Sequence, residues 1–164
     1  MSQLTLKAQL EALSGLSKPA GVELATLTRF DIPAIASLTL VAYGTDETAE
    51  NLVEAVEELR MTFSGAFGRV LDNLFVGAWQ DGELVGAILT TVDPPWDDLP
   101  KDEPFIVDLV VNPKVQSKGI ATALIGEVAS RAGDLGYSSI GMRFNKAYTR
   151  AAQLYDYLGF EALS

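Results

Sequence analysis

The chain has 164 residues, with 12 Lys and Arg against 22 Asp and Glu for a net charge of -10, and it contains neither histidine nor cysteine. Those two absences exclude Ser-His-Asp and Cys-His nucleophile systems, imidazole bases, disulfides and the usual zinc ligand sets, so chemistry falls to carboxylates, hydroxyls, phenols, amines or the backbone. The acidity disfavours nucleic acid, whose phosphates need a basic face; it serves solubility, or it draws in a cationic acceptor.

The length suits one domain, residues 1–164, without linker or internal repeat. No apolar run reaches the roughly 18 residues of a membrane span, and residues 1–16 lack the apolar core of a signal peptide. The expectation is a soluble, cytoplasmic protein with no membrane partner. Residues 1–20 carry two periods: Leu4 and Leu6 alternate as in a strand, whereas Leu6, Leu10 and Leu13 suit a helix. They read as an ordered extension of undecided type.

Residues 21–28 alternate like a strand, and 30–43 follow with Ile32, Ile35, Ala36, Leu38 and Leu40 at helical spacing behind an early proline. Residues 45–65 place Leu52, Val53, Val56, Leu59 and Phe63 on one helical face, with acids on the other. A hairpin comes next, NLFVGAWQ and ELVGAILTTVD around Asp81-Gly82, a pair that tolerates positive φ in a tight turn. After a polar loop, residues 105–112 (FIVDLVVN) are apolar enough for a central strand covered on both faces, ended by Pro113. Ile120, Leu124, Ile125, Val128 and Ala132 then repeat at helical spacing up to Gly136. Residues 137–145 form another strand, 149–159 another helix, and 160–164 begin a last strand. The predicted order is β α α β β β α β α β, an α/β (α+β) fold with a mixed sheet flanked by helices.

Residues 111–128, VNPKVQSKGIATALIGEV, lead from strand to helix through a turn holding Gln116, Lys118 and Gly119. The first four amides of a helix lack partners inside it and carry about half a positive charge, so a glycine turn there suits a phosphate or pyrophosphate. Neither a Walker loop nor a G-x-G-x-x-G fingerprint is present. What is present is Gln116-Ser117-Lys118-Gly119-Ile120-Ala121, of the form Q/R-x-x-G-x-G/A, and, after the next strand, RAAQLYDYLGF at 150–160.

With those two ordered motifs, residues 21–162 resemble the GNAT acetyltransferase superfamily. The resemblance implies a GNAT-like acyl-CoA acyltransferase fold, with residues 104–162 as its acyl-CoA-binding core. It implies acetyl-CoA as cosubstrate, no metal, and an amine acceptor, either a small molecule or a protein amino group. The pyrophosphate would lie on the loop from Val115 to Ala121, against Gln116, Ser117, Lys118, Gly119, Ile120 and Ala121. The pantetheine arm would run beside Leu109, Val110 and Val111, with further contacts from Asn145 and Ala152. A backbone amide near Leu109 to Val111 would polarise the thioester carbonyl. Tyr155 would be the general acid for the departing thiolate, its ordinary pKa near 10 keeping it protonated at neutral pH; the other reading is that it packs its helix onto the sheet.

For the base, Asp108 is the best candidate, on a strand with Val110 and Asn112 on the same face. Glu103, or an acid among residues 46–58, is the alternative. On the acceptor side, helices 30–43 and 48–64, the loop around Trp96, and Phe63 and Phe67 would form the wall, with Asp46, Glu47 and Glu50 suited to an amine. Two departures from the family stand out: Tyr148 replaces an asparagine seven residues before Tyr155, and the sequence stops four residues after Phe160, short of the usual final hairpin. An open sheet edge needs a cover; either residues 3–10 fold back as the missing strand or a second subunit, as in a homodimer, supplies one. The function expected is transfer of acetyl from acetyl-CoA to an amine by direct attack; the alternative is an inactive acyl-CoA-binding sensor or interaction module.

Overall fold

Both periods of the N-terminal segment are real and occur in succession. Strand β1 spans Gln3–Gln9 and a single helical turn, α1, spans Leu10–Leu13. In the strand Leu6 and Ala8 are buried between half-exposed Thr5 and Lys7, and in the turn Leu10 and Leu13 point to the core. These features come from a computed structural model, which describes residues 3–13, 16, 18–44, 49–95, 102–115, 119–145 and 155–162, with residues 3, 4, 49, 72 and 143–145 described by their backbone. Gln116, Ser117, Lys118 and Ala152, together with Asp46, Glu47, Trp96 and Tyr148, fall outside it.

After α1 the elements follow the predicted order: β2 Glu23–Thr26, α2 Ile32–Ala42, α3 Ala49–Phe63, β3 Arg69–Gln80, β4 Glu83–Val92, β5 Pro104–Val111, α4 Ile120–Asp134 and β6 Ser139–Asn145. A helical stretch at 155–158, α5, and a short β7, Glu161–Ala162, complete it. Asp81 and Gly82 both have positive φ, 52° and 80°, and Gln80 pairs with Glu83 across them, as the hairpin requires. Among the described residues no helix is long and apolar enough to cross a membrane.

The seven strands form one sheet in the order β2-β3-β4-β5-β6-β1-β7. Every neighbouring pair is antiparallel except β5 and β6. Strand β1 therefore lies inside the sheet: all seven of its residues pair with β6, and Leu6 and Lys7 also pair with Ala162 and Glu161 of β7. The edge of β6 is covered by the chain's own first strand, the first of the two sources the sequence left open. Lys7 fixes the slot from the side, with its ammonium 2.8 Å from the Glu103 carboxylate, which also accepts from the Ser139 hydroxyl at 2.9 Å. Glu103 is thus a structural partner of β1 and β6.

The sheet separates two apolar clusters. On one face α4, α1 and α5 cover residues such as Leu74, Val76, Ile88, Ile106 and Ile140; on the other, α2 and α3 cover Phe75, Leu84, Leu89 and Val110. All five apolar residues predicted for α2 are buried. In α3, Val53 is 60% exposed, against the expectation. At 100° per residue it stands well off the stripe of Leu52, Ala55, Val56, Leu59 and Phe63 that packs on the sheet.

Candidate functional site

Strand β5 is where the sheet opens. It pairs with β6 only at Phe105–Gly141 and Ile106–Met142, and the two are not partners beyond that point. On its other side, Leu89 of β4 pairs with Asp108 while Thr90 pairs with Ile106, which leaves Val107 as an extra residue in a bulge. A regular strand would send Val107 and Asp108 to opposite faces; the bulge turns both towards α2 and α3. There they line a cavity of about 420 Å³ with Thr39, Tyr43, Ala55, Glu58, Leu59, Thr62 and Phe67. The expectation that β5 is covered on both faces holds at Pro104–Ile106 and fails at Val107–Leu109, which are half-exposed beside this opening.

Asp108 accepts a hydrogen bond from the Tyr43 hydroxyl at 3.3 Å. Burial pushes its pKa from 3.8 up to about 6, and the Glu58 carboxylate adds to the rise, against the lowering effects of the Tyr43 hydroxyl and the Leu109 backbone. Of the acids among residues 46–58, Glu58 joins the candidate base: it is solvent-exposed and borders the cavity, whereas Glu50, also exposed, does not line it. Of the two aromatics expected on the wall, Phe67 lines the cavity, while Phe63 packs edge-on against Phe75 with ring centroids 4.8 Å apart. Tyr43, Thr39 and Thr62 were not singled out by the sequence, and Glu58 entered only as one of the acids among residues 46–58. Their only signal is spacing, Thr39 with Tyr43 and Glu58 with Thr62, four residues apart on their helices.

Across the sheet, Leu109 and Val111 pack against the α4 side, whereas Val110 is buried on the α2/α3 side. Helix α4 starts after Gly119, whose φ of 83° lies in the left-handed region and whose position offers no side-chain cap to the first amides. Its Cα is exposed, and among the described residues only Pro19 is near enough to touch an added Cβ, at 3.6 Å. Ile120 points into the core and Ala121 is half-buried. The helix start can sit this close to β4 because residue 86 is glycine: a Cβ there would meet Ile120 Cγ2 at 2.8 Å.

Tyr155 lies on this second face, buried in the apolar cluster with its ring edge-on to Phe160 at 5.8 Å. Burial pushes its pKa up to about 12. The Phe160 amide donates to the Tyr155 carbonyl at 2.9 Å, closing α5 and setting the tyrosine's place on the sheet. Asn145 is the last residue of β6, opposite Gln3. Asp108 and Tyr155 thus stand on opposite faces of the sheet, and among the described residues they share no cavity.

The sheet is mixed, and its parallel pair parts next to a glycine-started helix. The model of the acetyltransferase (GNAT) family matches residues 41–160, and the chain belongs to that family. No curated protein matches the sequence. Among solved structures, a GCN5-related N-acetyltransferase from Sphaerobacter thermophilus superposes with a TM-score of 0.71 at 19% identity, over 98% of this chain and 48% of that one. This chain spans about half of that structure's length. PH1933 from Pyrococcus horikoshii gives 0.73 at 19% identity, over 87% and 90% of the two chains. The aminoglycoside N-acetyltransferase AAC(6')-Iy, solved in complex with CoA, gives 0.63 at 17% identity, over 87% and 90%.

Proposed function

We propose that the chain, as one acetyltransferase domain with residues 1–20 integral to it, moves an acetyl group from acetyl-CoA to an amine by direct attack. The observation that carries this reading is the parting of β5 from β6 after Ile106, beside the cavity that Val107 and Asp108 line. The CoA complex of AAC(6')-Iy, a protein of the same fold, supports acyl-CoA as the cosubstrate. The pyrophosphate would lie on the α4 start, where Gly119 leaves backbone amides unobstructed, and the pantetheine arm beside Leu109 to Val111.

Bound acetyl-CoA supplies the thioester; the chain's residues manage the protons. Asp108, ionised above about pH 6, accepts the proton that the nitrogen sheds as the C–N bond forms and the C–S bond breaks. A backbone amide of β5 would polarise the carbonyl. Tyr155 at about 12 is a weaker acid than a thiol near 8.5, so it acts on the departing sulfur first as a hydrogen-bond donor and completes the proton transfer as solvent restores its proton. Asp108 then releases its proton to water.

The second reading, an acyl-CoA module without turnover, draws on the burial of Tyr155 among apolar side chains. One experiment separates these readings: calorimetric titration with acetyl-CoA for wild type and Gly119→Glu, followed by mass spectrometry of amine products. Micromolar binding lost in Gly119→Glu, with acetylated amine formed, supports the enzyme. Binding without any product over a broad amine panel supports the module, and a folded wild type that does not bind acetyl-CoA overturns both.

A further inference from the structure

The Asp108 cavity has an unusual balance of hydrogen-bonding groups. Each of its three hydroxyls spends its proton within the protein: Thr39 donates to the Ile35 carbonyl at 2.8 Å, Thr62 to the Glu58 carbonyl at 3.0 Å, and Tyr43 to Asp108. The two threonine oxygens keep lone pairs. The other polar groups in the wall are the carboxylates of Asp108 and Glu58, and no Lys or Arg is among the described lining residues. Among the described residues nothing forms an ion pair or hydrogen bond with the Glu58 carboxylate. The side chains of the cavity therefore present acceptors, and a ligand that fills it must bring the donors.

Resting on the acetyltransferase reading above, we infer that the acceptor is a small aliphatic diamine or polyamine without a carboxylate, one nitrogen held as ammonium by Glu58 while another reacts beside Asp108. Ala55, Leu59, Phe67 and Val107 supply an apolar wall for the methylenes between the nitrogens. Among the described lining residues a carboxylate on the substrate meets two acids and no cation. The volume of about 420 Å³ is within the range of small-molecule sites, and the chain's net charge of -10 attracts a polycation.

The test compares three acceptors on one four-carbon chain, 1,4-diaminobutane, 1-aminobutane and 4-aminobutanoate, with spermidine and an N-terminal peptide amine as further probes. Acetyl-CoA binding is measured separately by calorimetry. The expected order of kcat/KM is diamine above monoamine by about tenfold or more, the worth of a charge-assisted contact, with 4-aminobutanoate last. Glu58→Gln should abolish the diamine's advantage, bringing the diamine-to-monoamine ratio of kcat/KM to about one, while leaving acetyl-CoA affinity unchanged. Equal or faster turnover of 4-aminobutanoate or of the peptide, or a diamine preference that survives Glu58→Gln, overturns the diamine assignment alone. So does acetyl-CoA binding with none of the five probes acetylated. Absence of acetyl-CoA binding overturns the acetyltransferase reading as well.

Discussion

Replacing Asp108 by Asn tests whether the bulge places a carboxylate where it is costly to ionise. The rise from 3.8 to about 6 corresponds to about 3 kcal/mol at 1.36 kcal/mol per tenfold change, an upper bound because water reaches the open cavity. The sign follows from linkage. The folded state holds the proton more tightly than the unfolded state does, so the contribution is fully present below about pH 4 and is lost as pH rises through about 6. Asn has the shape of the protonated acid and can still accept from Tyr43. Asp108→Asn should therefore match wild type near pH 4 and exceed it above pH 7 by up to about 3 kcal/mol, or a Tm gain of about 5–10 °C. Urea unfolding of both proteins between pH 4 and 8 measures this, and the difference between them cancels the other carboxylates. If Asp108 is also the base, wild-type kcat/KM should rise with pH through about 6, and the variant should lose about a hundredfold in rate. A stability difference that does not change with pH, or a variant less stable than wild type at pH 7.5, would refute the burial argument.

Three further outcomes follow from the geometry. Tyr155→Phe should lower kcat about a hundredfold with acetyl-CoA affinity retained, as expected for loss of a donor to developing charge; single-turnover and binding measurements separate the two effects. Leu13→Ala removes a fully buried side chain of the N-terminal segment and should cost about 2–5 kcal/mol in chemical denaturation, whereas a cost below about 1 kcal/mol would mean that α1 is not part of the core. Gly126→Ala would normally favour a helix by about 1 kcal/mol. Here an added Cβ meets Leu16 Cβ at 2.9 Å, so the expected result is a lower Tm, and a raised Tm would mean that residue 16 does not lie on α4.

Patterns of local origin were legible in the sequence. The Asp81-Gly82 hairpin, the five buried positions of α2 and the buried stripe of α4 all follow from turn chemistry or a 3.6-residue period, and each stands where expected. The misses have physical causes. Val53 fits a loose count of apolar residues but not the angle of the stripe. The bulge at Val107 has no side-chain signature, since an extra residue in a ladder is set by the partner strand, and without it Asp108 reads as one more alternating position. Glu58 is solvent-exposed, as helical spacing implies; what spacing does not show is that a neighbouring helix and a bulged strand leave a hollow beside it. The partner of Glu103 is Lys7, far away in sequence, and no local pattern could pair them.

The slot taken by β1 has a consequence for how the molecule is assembled. Its ladder partners, β6 and β7, lie at the opposite end of the chain. The hairpin of β3 and β4 can close from neighbouring residues, but β1 must find its place across nearly the whole length of the polypeptide, a slow, entropically opposed closure. Until it does, β6 has a bare edge and β7 has no neighbour. A folding intermediate with the β2–β5 half formed and this slot empty would accept the same strand from another molecule, so refolding at high concentration should yield strand-exchanged dimers that refolding at low concentration does not.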